Sequence, residues 1–385
     1  MRRSLSILAT TALLVLFPPA AMADPGWTPV TPAPAPPANL TAAGLFDVAA
    51  VSPADVWAVG GGWTDTEQAL IMHWTGAGWS PVQAPSVRDF QYSFTAVDVV
   101  SARDVWAAGN GMPVPAQDFR SKAVLAHYDG TAWSMARVPA PPSSSSDVLT
   151  DIDMVSATDG WAVGWRVAAP ADPFQPLAMR WRNGRWDAVR LPRIGGGNVL
   201  LGHVHARTGT DVWAVGSVGD AALILHFDGT RWRRFDVPHG GAPGATNELR
   251  AVTTVSANEA WAAGSACRTL AEGVACQPLI LRLTGGRWQV VPPAGDGGTN
   301  LLDVVARSGD DVWVVGYDLP IGGQEANHVE HWDGRRFVTV PAYVGPVTVQ
   351  GGLASALEGV TRLPGTDELW AVGWQDGAVQ AIRHG

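Results

Sequence analysis

One short pattern recurs along the chain and limits its fold more than any other feature. The run Asp211-Val212-Trp213-Ala214-Val215-Gly216 is repeated in variant form around Trp57, Trp106, Trp161, Trp261, Trp313 and Trp370, at intervals of 49, 55, 52, 48, 52 and 57 residues. Apolar, β-branched and aromatic residues dominate each copy, and a glycine closes it, which reads as a strand stopped by Gly. A period of about 50 residues is that of a four-stranded propeller blade. The predicted fold is therefore all-β: a seven-bladed β-propeller with four-stranded blades, forming a single domain over residues 24–385.

The first blade shows the four strands, a to d, as Phe46–Val51, Val56–Val59, Ala69–Trp74 and Trp79–Val82. Strand a places a β-branched residue nine positions before each core tryptophan: Val48, Val97, Ile152, Val204, Val252 and Val304, with Val360 displaced by a one-residue insertion. Strand d opens on a second aromatic at Trp79, Trp133, Trp186, Trp232, Trp288 and Phe337, suited to wedging neighbouring blades together. The a–b turns, such as Ser52-Pro53-Ala54-Asp55, supply short side-chain oxygens for the turn's own amides. Helical 3.6-residue periodicity does not follow them, so the capping-box reading fails.

Blade 7 reaches only strand c before the chain stops. Its missing strand d is at the other end, where Gly26-Trp27-Thr28-Pro29-Val30 matches Gly78-Trp79-Ser80-Pro81-Val82 apart from Thr for Ser. The N-terminal strand is thus expected to complete blade 7 and close the ring. Pro29 is tolerable on such an outermost strand, which can spare an amide.

The unit VWAVG, a strand ending in His-aromatic, then D-G-x-x-W, resembles the kelch and tectonin classes of β-propeller repeat over nearly the whole chain. The tectonin-like resemblance implies a sugar-binding lectin. Propellers host unrelated activities, so function must be argued from the site.

Residues 1–23 carry Arg2 and Arg3, an apolar segment from Leu5 to Phe17 and Ala21-Met22-Ala23, and read as a secretory signal peptide. A secreted, extracellular product starting at Asp24 is expected, with no second apolar run to span a membrane. Removing Arg2 and Arg3 with the leader takes the net charge from −9 to −11, which disfavours nucleic acid as a partner. Cys267 and Cys276, nine positions apart in one loop of an exported chain, predict a disulfide. The expected state is a monomer.

The b–c and d–a loops vary in length and share one face of a propeller, where recognition residues are expected. On that face Trp63 and Asp65 (blade 1), Trp165 (blade 3), Tyr317 and Asp318 (blade 6), and Trp374 and Asp376 (blade 7) form a candidate ligand platform of aromatic planes beside carboxylates, a chemistry suited to a glycan. Near the axis, Asp151 and Asp153 of blade 3 and His203 and His205 of blade 4 alternate onto one face of their strands, an arrangement that offers N and O ligands to a metal in the channel. A solvated polar channel is the plainer reading of the same four residues. The basic residues of strand c recur in every blade, which points to packing. The sequence contains no G-x-S-x-G, H-E-x-x-H or phosphate loop. These observations favour a non-catalytic module that binds a glycan or an extracellular protein, with no cofactor. The alternatives are a glycoside-processing hydrolase or lyase using a carboxylate pair such as Asp65 and Asp376, or a pure protein-interaction scaffold.

Overall fold

The computed structural model describes residues 26–114, 120–139, 146–195, 197–241, 243–295, 297–320, 323–343 and 354–385. The expected leader at residues 1–23 lies outside them. Seven four-stranded antiparallel sheets make up the described chain, and six of them are built from consecutive strands. Blade 4 is typical, with strand a at Val199–Thr208, b at Asp211–Val218, c at Ala221–Phe227 and d at Trp232–Phe235.

The seventh sheet has the order expected from the sequence match at the two ends. Thr28–Pro29 pairs antiparallel with Ala378–His384, with Thr28 opposite Arg383 and Pro29 opposite Ile382. The backbone amide of Trp27 donates to the Pro341 carbonyl at 3.0 Å and that of Val30 to Ala381 at 3.0 Å. Trp27, Val30 and Ile382 are all buried. The strand therefore adds to the outer edge of blade 7 and also reaches the end of blade 6.

Blades are joined by an aromatic wedge repeated around the whole ring. The aromatic of each strand d packs against the strand-b tryptophan of the preceding blade: Trp133 on Trp57, Trp186 on Trp106, Trp232 on Trp161, Trp288 on Trp213, Phe337 on Trp261, Trp27 on Trp313 and Trp79 on Trp370. Centroid separations run from 5.2 to 5.9 Å, and all but the Trp79 pair are edge-on. Such contacts contribute about 0.5–1.5 kcal/mol each beyond the area they bury.

On its other side the core tryptophan meets the basic residue of strand c in blades 1 to 6. His73, His127, His226 and His331 stack on their tryptophans at 3.9–4.3 Å, and Arg180 and Arg282 lie over theirs. The acid that opens strand b holds each basic group in place, for example Asp55 on His73 at 2.8 Å and Asp159 on Arg180 at 2.7 Å. In the a–b turns the serine or threonine bonds its own loop, as Ser52 does with the Ala54 amide at 3.3 Å, while the aspartate turns inward to strand c.

Two expectations change. The signature glycine does not stop strand b, which runs on to Trp63 in blade 1 and to Leu270 in blade 5. Its role is set by a β-bulge in strand a. In all seven blades the register shifts by one residue opposite this glycine, as between Leu201 and His203. The bulge drives a strand-a carbonyl onto strand b, so that a Cβ at Gly216 would stand 2.0 Å from the Leu200 oxygen. The other six glycines meet the equivalent oxygen at 1.9–2.1 Å. Only a residue without a side chain fits there.

The second change concerns the cysteines. Cys267 and Cys276 form a disulfide, but they sit opposite one another on paired strands, Glu259–Leu270 and Gly273–Thr284, and not in an irregular loop. The enlarged b–c connection of blade 5 is an extended hairpin arm.

Candidate functional site

The extruded bulge residues are Phe46, Thr95, Thr150, Gly202, Arg250, Leu302 and Glu358, one per blade in ring order. All seven line a single cavity of about 440 Å³ at the mouth of the central channel. Trp165, Leu200 and Glu248 add to its wall. The bulges occur near the start of strand a, so the mouth opens on the face of the d–a and b–c loops.

Thr95 and Thr150 turn their hydroxyls to backbone carbonyls of their own and the next blade, at 2.9–3.2 Å, and so fix the spacing of blades 2, 3 and 4. Gly202 leaves a notch between Thr150 and Arg250. Arg250 is paired with Glu248 at 3.1 Å and its side chain remains half exposed. Glu358 accepts from the Trp374 indole at 3.0 Å. Burial is the largest influence on the Glu358 carboxyl and raises it; the Trp374 hydrogen bond and the nearby charge of Arg250 oppose that rise.

One residue further along strand a, Asp47, Asp151 and Asp303 face the axis together with His203, and these four line both the mouth and a deeper cavity of about 260 Å³. They form the waist of one channel. Each carboxylate is committed to the next blade: Asp47 accepts from Val97 at 2.8 Å, Asp151 from Val204 at 2.7 Å and Asp303 from Val360 at 2.8 Å. Asp98 and Asp153, deeper still, cap Met154 and Ala206 in the same way. Burial, and then the charge of Asp303, holds Asp47 well above the ordinary carboxylate range. Burial, followed by Asp47, does the same to Asp151. It pushes Asp153 and Asp303 up to about 7. Burial also drives His203 down to about 3, with His205 contributing, and His205 down to about 4.

The residues singled out from sequence separate into three groups. Trp165 lines the mouth, Trp374 reaches it through Glu358, and Trp63 stands 6.5 Å from Phe46 at its edge. Asp65 is exposed in the first b–c connection, and Tyr317 is half-buried. Asp376 accepts from the Ala354 amide at 3.1 Å, across to the start of strand a in its own blade. Asp318 belongs to a buried network. It accepts from Thr299 at 2.6 Å and faces His328 Nδ1 at 3.0 Å, while His328 Nε2 is 3.0 Å from Glu330. Glu330 is fully buried and accepts from the amides of Ala294 and Gly295. Burial opposes charge on His328, yet its bonds to Asp318 and Glu330 outweigh that effect and push it up to about 9.

The proposed metal quartet meets pairwise across blades 3 and 4. His203 lies 3.4 Å from Asp151, His205 lies 3.4 Å from Asp153, and His203 reaches 3.8 Å toward Asp303. Asp151 and Asp153 each use an oxygen to cap a blade-4 amide. Among the described residues no group of three or more His, Cys, Asp or Glu side chains is arranged to hold a metal ion.

Sequence reasoning missed the bulge residues. They stand two positions before the strand-a β-branched residue in every blade, and eleven before the core tryptophan in the first six. This column of the repeat reads Phe, Thr, Thr, Gly, Arg, Leu, Glu directly after a column of leucine or phenylalanine that barely varies, and that contrast was the available signal.

No protein-family model matches this sequence, and none of the curated proteins matches it. Solved structures do share its fold. It is similar to "YCF48 bound to D1 peptide" at 14% identity and a TM-score of 0.55, covering 93% of this chain and 95% of that one. It is also similar to YCF48 from Cyanidioschyzon merolae at 16% identity and a TM-score of 0.53, covering 93% of this chain and 98% of that one. A third structure, U3-55K, has 10% identity and a TM-score of 0.53, covering 92% of this chain and 99% of that one. Identities this low establish the propeller fold alone. Among the described residues no helix is long and apolar enough to cross a membrane.

Proposed function

We propose that this protein is a non-catalytic binding module that takes its ligand at the mouth of the central channel, on the face of the b–c and d–a loops. One observation carries the reading. Seven structurally equivalent positions converge on one cavity and carry Phe, Thr, Thr, Gly, Arg, Leu and Glu, whereas the aromatics that wedge the blades together stay nearly uniform. Packing needs the same residue in each blade, whereas recognition of a ligand without seven-fold symmetry needs different ones. A polypeptide segment is the first ligand class to test, since the similar propeller bound to a D1 peptide shows that this fold accommodates one. A glycan is the second. It is favoured by the exposed indole of Trp63 beside Phe46, and by the kelch- and tectonin-type likeness of the repeats. The reading places the mature chain, from Asp24, outside the cell, in keeping with the disulfide.

Screening of the purified protein on peptide and glycan arrays, beside Leu302→Trp, tests the mouth. Leu302 is a partly exposed bulge residue that lines the cavity, so a tryptophan there takes up space at the mouth. Ligands of the native protein are expected to be lost in the variant at unchanged melting temperature; equal binding by both would end this assignment. Replacing Trp63 and Trp374 by alanine tests the glycan arm separately.

A further inference from the structure

Resting on the mouth as the binding site, we infer that its ligand is an extended polypeptide segment that inserts a lysine or arginine side chain into the channel. The lining changes character with depth. At the rim Phe46, Leu302 and Trp165 present apolar and aromatic surface among the polar Thr95, Thr150, Arg250 and Glu358. One residue deeper, the carboxyls of Asp47, Asp151 and Asp303 face the axis. A lysine or arginine has the same layered build, an apolar stem ending in a cation, and it buries the stem while its head seeks polar partners. Aromatic faces at the rim add attraction for the cation as it passes.

The charge of the cavity points the same way. Among the described residues lining the mouth, Arg250 is the single permanent cation, and Glu248 already occupies it at 3.1 Å. His203 stays neutral at physiological pH because burial lowers its affinity for a proton. Among the described residues Arg250 is the one cation near Glu358, and the three channel aspartates have none at the mouth. Burial holds these carboxyls above their usual range and so favours their neutral form, and a positive charge brought into the cavity favours ionisation and pairs with the carboxylate that results. A neutral sugar or an acidic peptide brings no such charge. A single protruding side chain also suits a cavity of about 440 Å³ that narrows to a waist where His203 approaches Asp303 at 3.8 Å.

The test is an array of short linear peptides, followed by titration of the strongest hits against the native protein, Glu358→Gln and Leu302→Trp. Glutamine at position 358 keeps an oxygen for the Trp374 indole, and equal melting temperatures check that it does. The expected hits are enriched in lysine or arginine. Replacing that residue in the peptide by the neutral, similar-sized norleucine is expected to weaken binding on the order of tenfold or more. Glu358→Gln should weaken the basic peptide but leave the norleucine peptide unchanged, and high salt should reduce the difference. Hits with no basic enrichment, or norleucine peptides that bind as tightly, overturn the inference; if Leu302→Trp still abolishes those hits, the mouth remains the binding site. Binding confined to the glycan array also overturns it. Hits that survive Leu302→Trp overturn both readings, as does silence on both arrays.

Discussion

Two rings run around this propeller, and they obey opposite rules. The outer ring consists of a strand-b tryptophan, the acid that opens that strand, a basic residue from strand c and the strand-d aromatic of the next blade. It is nearly the same in all seven blades, with wedge separations confined to 5.2–5.9 Å. The inner ring of bulge residues has equally regular backbone geometry but carries Phe, Thr, Thr, Gly, Arg, Leu and Glu. Close packing between identical neighbours has one good solution, which recurs wherever the interface recurs. A cavity lined by seven convergent side chains has no such requirement. The contrast separates what holds the ring from what the ring presents.

The comparison breaks most severely at the closure. Deleting residues 24–35 removes Trp27 and the outer strand of blade 7, leaving Trp313 without its wedge. The expected loss is at least that of a buried tryptophan, about 3–5 kcal/mol, seen as a large fall in melting temperature. An unchanged melt would show that the outer ring does not hold the molecule closed.

The buried network in blade 6 is the next largest effect, and it depends on pH. His328 in the folded chain sits at about 9, above its ordinary value of 6.5. Its contribution is therefore fully present below pH 6.5 and lost as pH rises through 9. The difference corresponds to about 3 kcal/mol at most. Stability measured by denaturant titration should fall across that window, and His328→Gln should flatten the fall. A native-like slope in the variant would assign the effect elsewhere.

Removing the disulfide with Cys267→Ser and Cys276→Ser should cost about 2.5–3 kcal/mol in the chain-entropy account, measured as a lower denaturation midpoint. The seven-blade architecture, read by circular dichroism, should persist, since this cross-link ties one hairpin arm and closes no blade interface.

The smallest stability effects belong to the inner ring. Glu358→Gln and Leu302→Trp should each stay within about 0.5 kcal/mol of the native protein while ligand binding changes. A large destabilisation by either would show that the inner ring also serves closure, and would blur the distinction between the two rings.

Much of the outer ring was legible before any coordinates. The tryptophan spacing gave the number of blades, and the match of Gly26–Val30 to Gly78–Val82 gave the closure. The candidate site was legible only in part. Trp165, Trp374 and Trp63 lie at or beside the mouth, but the aspartates grouped with them do not act together: Asp318 is bound to Thr299 and His328, and Asp376 to the Ala354 amide. Residue type suggested a ligand for each carboxylate, whereas neighbours remote in the chain, such as Glu330, decided how one of them was used.

The sequence by itself determined the architecture, because blade period, strand alternation and wedge residues are local patterns repeated often enough to exclude other folds. Tertiary structure decided the site. The bulge in strand a and the glycine that yields to it turn one residue per blade toward the axis, and closure of the ring brings together Phe46 and Glu358, more than three hundred positions apart. No local pattern encodes a meeting of seven side chains, because their proximity arises only when the first strand reaches the last.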